Sequence, residues 1–351
     1  MRSLWITRHG GPEALEVRES PLPEPGPGEV RVRVKAAGLN FSDIMARLGL
    51  YAAGPRLPAV VGYEAAGVVE EKGPGVTGLD LGARVLAVAS AGCQAEAVVV
   101  PEHHLFPMPD GMTFEEGAAL PVNYLTAYHV LFRVGHLQPG QSILLHMAAG
   151  GVGMAVLQLV KTVPGVTVFG TASAAKHDLL RAAGCHYPID YRTTDYAAEV
   201  RSRTGGAGVH LVIDPLGGRD WRRGYELLRR SGMLVACGFA NLARGERRSV
   251  PRVLFELLRM PRFSPLALMT DNRAVAGVFL GDLFSEAEAM GEALRAVLDL
   301  YRSGEVRPRV DSVYPLERAA EAHRRIQDRK NVGKVVLSPS PPPQAQAPGG
   351  T

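Results

Sequence analysis

The run His146-Met-Ala-Ala-Gly-Gly-Val-Gly-Met154 offers the plainest chemistry in the chain. It follows a short apolar stretch, Ile143–His146, and leads into an apolar helical segment, Met154–Lys161. Glycines at a strand-to-helix turn let the backbone bend tightly and approach a pyrophosphate, whose charge then sits at the helix N-terminus. Ala149, Gly150, Gly151, Val152 and Gly153 are the residues expected there. The fingerprint is partial: Gly151 and Gly153 match the first pair of a G-x-G-x-x-G pattern, and Val156 holds the third place. A plain strand-to-helix turn carries the same glycines, so the surrounding alternation of strands and helices is what favours a nucleotide.

An absence sharpens that reading. A site for NAD carries an acid about 20 residues on, bound to the ribose 2′-hydroxyl. Here the chain reads Thr171-Ala172-Ser173, then Lys176 and His177, and no acid occurs between Lys161 and His177. A hydroxyl and a cation suit a 2′-phosphate, so NADPH is the expected cofactor. The plainer reading of Lys176 is a solvated helix residue.

These residues need a scaffold. Up to residue 122 the chain is β-rich: Val30–Lys35 alternates apolar and basic side chains, and Gly67–Glu70, Arg84–Ala89 and Ala95–Val100 follow, separated by Gly-Pro and Pro-Gly punctuation. Thr113 and Glu116 have capping-box spacing for a helix start. From Gly140 the rhythm changes. Strand-like runs at Thr167–Thr171, Tyr187–Asp190, Val209–Asp214 and Met233–Gly238 alternate with helical segments such as Lys176–Ala183, the pattern of a parallel sheet covered on both faces. Beyond residue 264 a long helix near Ser285–Ser303, a strand near Arg309–Val313, a helix near Leu316–Asp328 and a strand at Lys334–Leu337 are expected to return to the first domain. The fold class is therefore α/β, with domains at 1–122 plus 264–337 and at 123–263. The Pro-rich stretch 338–351 is expected to be a disordered tail.

Bulk properties exclude several classes. The 351 residues allow two cores, and 46% hydrophobic with 21% charged residues is ordinary for a globular protein. Lys plus Arg is 39 against 35 Asp plus Glu, a spread-out excess of +4 with no dense basic block, so no nucleic-acid partner is expected. Cys93, Cys185 and Cys237 have neither zinc nor disulfide spacing, which suits a reducing cytoplasm. The N-terminus lacks the apolar core of a signal peptide, and no apolar run is long enough for a spanning helix.

Five motifs stand in order: Gly38-Leu-Asn-Phe-Ser-Asp43, Gly62-Tyr-Glu-Ala-Ala-Gly67, Asn123-Tyr-Leu-Thr-Ala-Tyr128, Ala148-Ala-Gly-Gly-Val-Gly153 and Asn331-Val-Gly-Lys-Val-Val-Leu337. Together they resemble the zinc-independent quinone oxidoreductases, the zeta-crystallin type, of the medium-chain dehydrogenase/reductase superfamily. Gly277-Val-Phe-Leu-Gly281 and Val310-Asp-Ser-Val-Tyr-Pro-Leu316 resemble the vesicle amine transport protein 1 branch. The resemblance implies a GroES-like catalytic domain built from both chain ends, an inserted Rossmann domain and a homodimer. Zinc members of the superfamily carry Cys where Asn40 stands and His where Tyr63 stands, so no metal is expected.

By the same resemblance, Asn40, Asp43 and Tyr51 line the catalytic cleft. Tyr51 falls where enoyl-thioester reductases carry a proton-donating Tyr, or else it is an aromatic wall. Asn40 meets the nicotinamide ribose or the substrate oxygen. Asp43 is catalytic, or simply caps a helix. Tyr124 and Thr126 flank the nicotinamide, Tyr191 packs near the 2′-phosphate, and Gly238, Phe239 and Asn241 face the cofactor. Val278, Phe279 and Leu280 meet the carboxamide, and Thr171, Ser173, Lys176 and Lys334 complete the cofactor set. The implied activity is hydride transfer from NADPH to quinones or α,β-unsaturated carbonyls, acceptors that need no Lewis acid. The alternatives are an enoyl-thioester reductase, or a non-enzymatic NADPH-binding protein associated with membrane or RNA. Arg252–Pro265 reads as an amphipathic segment that packs over the cleft, meets another subunit, or touches a membrane surface.

Overall fold

The computed structural model describes residues 1–243, 245–283 and 286–339. Six parallel strands form one sheet in the order Tyr187–Asp190, Thr167–Ala172, Ser142–Leu145, Val209–Asp214, Leu228–Ala236 and Ala274–Gly277. Helices cover both faces, and three of the four residues of the central strand, Ile143, Leu144 and Leu145, are apolar and buried. The chain winds outward from Ser142–Leu145 first to one side and then to the other. That reversal opens a crevice at the carboxyl ends of the strands, where open α/β sheets bind ligands.

The second unit is a β-rich sheet made from both chain ends. Its strands run Val310–Pro315, Lys334–Ser338, Glu29–Leu39, Glu64–Lys72, Arg84–Val88 and Leu105–Pro107, with Ala97–Pro101 also pairing Glu29–Leu39. The closing strand pairs antiparallel with the first long one, Val335 opposite Leu39. Thr113 caps the helix Phe114–Ala119, with reciprocal bonds to Glu116 as its spacing predicts. One core runs through both units: Ala36, Ala66 and Leu86 belong to the same cluster as Leu125, Leu145 and Val297.

The domain boundary expected at 264 is corrected. Ala274–Gly277 is the sixth strand of the parallel sheet, paired with Leu228–Ala236, so that unit continues through Gly277. The long helix is Ala287–Arg302, and the expected start at Ser285 lies outside the described residues. Ser338 ends the last strand rather than opening a tail, and 340–351 lie outside the described residues. The segment Arg252–Pro265 resolves into the end of one helix, Val250–Leu258, and the start of another, Pro265–Asp271.

Candidate active site

A cleft of about 1610 Å³ lies between the two units at the carboxyl ends of the parallel strands. Its floor is the glycine turn. The helix Gly151–Val160 begins after Gly150 with no side-chain cap, so its first backbone N–H groups are left for a ligand in the cleft. A Cβ on Gly153 would lie 2.4 Å from the carbonyl oxygen of Ala148, so only glycine permits this close turn. Buried Thr171 braces it: its Oγ1 bonds His146 Nδ1 at 3.1 Å and accepts from Met147 N at 3.3 Å.

One end of the cleft is cationic. Ser173, Lys176 and Tyr191 line it, together with Arg192 and Arg329. The guanidiniums of Arg192 and Arg329 lie 5.9 and 5.6 Å from the centre of the Tyr191 ring. Burial opposes ionisation of the Tyr191 hydroxyl, but hydrogen bonds to Arg329 and Arg192 outweigh it and hold the hydroxyl below its usual range. Lys176 is not a freely solvated helix residue. Its Nζ donates to the carbonyl oxygens of Arg329 and Asn331, each at 2.7 Å, which ties the parallel-sheet unit to the other.

The other end is a buried polar cluster beside an aromatic wall. Asn40 precedes the helix Phe41–Arg47, and its backbone N–H donates to Asp43 Oδ2 at 2.7 Å. Asn40 Nδ2 donates to Glu64 Oε1 at 2.8 Å, and Lys334 Nζ donates to Asn40 Oδ1 at 2.5 Å and also to Glu64. The second carboxylate oxygen of Glu64 accepts from Val122 N at 2.7 Å. All three side chains are buried, which fixes the Asn40 amide at the cleft surface. Tyr51 stands over this cluster, its ring centre 5.7 Å from that of Tyr63 and 5.3 Å from that of Phe279. Its hydroxyl points at the backbone of Gly281, where a Cβ would come within 2.7 Å of it. Burial, and then the charge of Asp43, push the Tyr51 hydroxyl up to about 12.

Asn40, Tyr51, Thr126, Ala149, Gly150, Gly151, Val152, Gly153, Thr171, Gly238, Phe239, Asn241, Val278, Phe279, Leu280 and Lys334 all line the cleft. Two expected residues do not. Tyr124 is buried elsewhere, and its hydroxyl donates to Gln158 at 2.8 Å. Val122 and Thr126, four residues apart, share the cleft-facing side of the helix Pro121–Tyr128, which turns Tyr124 away. Asp43 lies beneath the cleft as the partner in a capping box, fully buried. Burial pushes its carboxyl up to about 7. The structure adds Glu64, Arg192 and Arg329: Glu64 belongs to the motif Gly62–Gly67, and Arg192 directly follows Tyr191.

Neither position where zinc members carry a ligand offers one. The Asn40 amide is engaged on both sides, and Tyr63 is buried with its hydroxyl pushed far above its usual range by burial and by Asp43 and Tyr51. Among the described residues no group of three or more His, Cys, Asp or Glu side chains could hold a metal ion.

A β-rich unit built from both chain ends, a doubly wound sheet and a cleft between them define a nucleotide-type oxidoreductase scaffold. Residues 26–110 match the alcohol dehydrogenase GroES-like domain, and residues 183–337 match the zinc-binding dehydrogenase family. The Rattus norvegicus synaptic vesicle membrane protein VAT-1 homolog is 48% identical over 343 residues, which cover 97% of this chain and 85% of that protein. The human VAT-1 homolog-like protein superposes with a TM-score of 0.85 at 36% identity, covering 98% and 99% of the two chains. The Escherichia coli quinone oxidoreductase solved with NADPH gives 0.85 at 29% identity, covering 97% and 100%. The chain belongs to the medium-chain dehydrogenase/reductase superfamily and stands close to the VAT-1 homologs.

Proposed function

We propose that this protein is an NADPH-dependent reductase of quinones or α,β-unsaturated carbonyls that works without a metal. The observation that carries the reading is one cleft with a glycine turn at its floor, a cationic group around Tyr191 at one end, and the half-buried Tyr51 at the other. The residues fit NADPH. The turn Gly150–Gly153 supplies backbone N–H groups for the pyrophosphate, and Ser173, Lys176, Tyr191, Arg192 and Arg329 supply a hydroxyl and cations for the 2′-phosphate. Asn40, Thr126, Lys334 and the Val278–Leu280 backbone are left for the nicotinamide half. The residues do not fit zinc. The place for a metal ligand is an amide locked between Glu64 and an ammonium, and Lys334 already supplies the positive charge there.

NADPH, when bound, supplies the hydride. The chain's own residues must then hold the acceptor and manage the negative charge left on its oxygen. The Asn40 amide and the Lys334 ammonium are fixed donors at the cleft surface, which cost no reorganisation as charge develops. Tyr51 keeps its proton across the working pH range and can release it to an enolate carbon. A quinone spreads the incoming charge over its ring and takes its protons from water, so it depends less on Tyr51. NADPH consumption screened over quinones, enones and enoyl thioesters tests the reading, with Tyr51→Phe as the internal control. A positioned general acid contributes about 10²–10⁴-fold, so enone turnover should fall in that range while NADPH affinity holds. Equal, small effects on both classes would reduce Tyr51 to a wall of the pocket. No turnover with any class would refute the reductase.

A second reading has its own observation: Leu254 and Leu258 are exposed on a helix that carries Arg252 and is followed by Arg259, and the VAT-1 relatives are named as vesicle membrane proteins. No described helix is long and apolar enough to cross a membrane. Surface association would show as flotation with anionic vesicles, and flotation in a protein that turns over no acceptor would favour it.

A further inference from the structure

Gly281 breaks a local rule. It lies in the short helix Leu280–Leu283, where alanine is the better helix former, and its backbone is not in the left-handed region that calls for glycine. Such breaks gather at functional sites. Space is the reason here. A Cβ on Gly281 would lie 2.7 Å from the Tyr51 hydroxyl oxygen, 3.3 Å from Ala53 Cβ and 3.5 Å from the Phe279 ring. The first is a collision. The hydroxyl would have to retreat by about 0.7 Å to restore an ordinary 3.4 Å contact. Packing alone sets Tyr51. The rings of Tyr63 and Phe279 stand 5.7 and 5.3 Å from its own, and its hydroxyl makes no hydrogen bond to a described residue, which leaves its proton for a ligand. The two partners come from different units. Tyr51 opens the turn Tyr51–Gly54, in which Gly54 N donates to its carbonyl oxygen at 3.1 Å. Gly281 follows the sixth strand of the parallel sheet, and Val278 N anchors that segment by donating to Ala236 O at 2.9 Å.

We propose that Gly281 is a positioning residue for Tyr51: its bare backbone is the stop that sets where the Tyr51 hydroxyl lies, so that the proton reaches one face of an α-substituted enone. The inference rests on the reductase reading and adds what places its acid and what that does to the product. Once the β-carbon has accepted a hydride from NADPH, the electrons of the former double bond are held as an enolate. The Tyr51 O–H bond then breaks, its proton forms the new C–H bond at the α-carbon, and the phenolate left behind takes a proton from water. A donor fixed on one side of the cleft adds that proton from one side only. A displaced donor gives way to water, which adds it from either side. Misplacing a reacting group by about 1 Å can cost about 10²-fold, so the shift that a Cβ forces should cost about 10–10²-fold.

The test is a double-variant cycle, with Gly281→Ala, Tyr51→Phe and the two together, read in two ways. Urea unfolding without cofactor reads the contact. Gly281→Ala should lower the urea midpoint of the wild type, and should leave it unchanged or raise it in Tyr51→Phe, where the oxygen that the Cβ strikes is gone. Reduction of a cyclic enone with an α-methyl group reads the acid. In Gly281→Ala the ratio of enone to quinone kcat should fall about 10–10²-fold, and the product should change from one mirror form to a mixture. In the Tyr51→Phe background Gly281→Ala should change neither the ratio nor the product. Should Gly281→Ala alone fail to fold, recovery of the fold on adding Tyr51→Phe supports the inference, and no recovery overturns it. A mixture already from the wild type, a single mirror form from Gly281→Ala, or equal midpoint shifts in the two backgrounds overturns the inference and leaves the reductase standing. No turnover of any acceptor by the wild type overturns the reductase and this inference with it.

Discussion

Removing Arg329 should separate NADPH from NADH more cleanly than removing Lys176. Both lie at the cationic end of the cleft, but Lys176 already spends two donors on the carbonyls of Arg329 and Asn331. Lys176→Glu would place a like charge beside a phosphate and also cut a tie between the two units, so NADH binding should suffer too. The Arg329 side chain makes one hydrogen bond, to the Tyr191 hydroxyl, where Lys176 makes two to backbone carbonyls. It is half-buried against the Tyr191 ring, whereas Arg192 on the other side is exposed. A charge-assisted hydrogen bond to a phosphate contributes about 1.5–3 kcal/mol when partly desolvated, and an exposed ion pair about 0–1. Arg329→Ala should therefore weaken NADPH by about 10–150-fold and Arg192→Ala by less than about fivefold, with NADH nearly unmoved in both. Fluorescence titration of the two cofactors checks this, and raising the salt should shrink the wild-type preference. A ratio of NADPH to NADH affinity that does not change in Arg329→Ala would refute the assignment of this end of the cleft to the 2′-phosphate.

Elemental analysis of the purified protein should find no stoichiometric zinc, and chelation should leave turnover unchanged. One zinc per chain would overturn the reading of Asn40. Light scattering at micromolar concentration should find a homodimer, because Ala274–Gly277 is the outer strand of the six and its free edge can pair with a second copy. A monomer refutes this.

What the sequence reveals and what it hides follow from how local each signal is. Tyr187–Asp190 and Val209–Asp214 are strands at the residues their apolar runs predict, and the Thr113–Glu116 box is made by residues three apart. Ala274–Gly277 escapes because four small residues with no alternation look the same in a loop as in an outer strand. Its partner strand supplies the signal, and that lies 38 or more residues earlier. The site divides the same way. The glycine turn is contiguous and therefore legible, whereas Arg329 meets Lys176 across 153 residues of chain. Lys334, Asn40 and Glu64 converge because the last strand pairs with Glu29–Leu39, which in turn pairs with Glu64–Lys72. Helix periodicity alone sets Tyr124 off the face shared by Val122 and Thr126.

Asp43 gives the fold a pH dependence that can be separated from catalysis. Its carboxyl is fully buried, with Oδ2 accepting from Asn40 N and Oδ1 unpartnered. Burial raises it from 3.8 to about 7; the Asn40 N–H and the Lys334 charge pull it back, and Glu64 pushes it further. Tyr51, Tyr63 and Cys93 also feel its charge. Because the folded value lies above the unfolded one, the folded state holds the proton more tightly. The associated stability is complete below about pH 4 and is lost as pH rises through 7. About three units at 1.36 kcal/mol each set a ceiling of about 4 kcal/mol. Asp214, buried and raised to about 7 by the same desolvation, contributes a parallel decline. Asp43→Asn keeps an oxygen for the Asn40 N–H but cannot ionise. The wild type should therefore lose stability between about pH 4 and pH 7 in urea unfolding, and the variant should lose about half as much. The variant's decline should be the part that belongs to Asp214. An unchanged decline in Asp43→Asn would mean that Asp43 stays ionised in the fold, and that Lys334 compensates its burial more fully than the geometry implies.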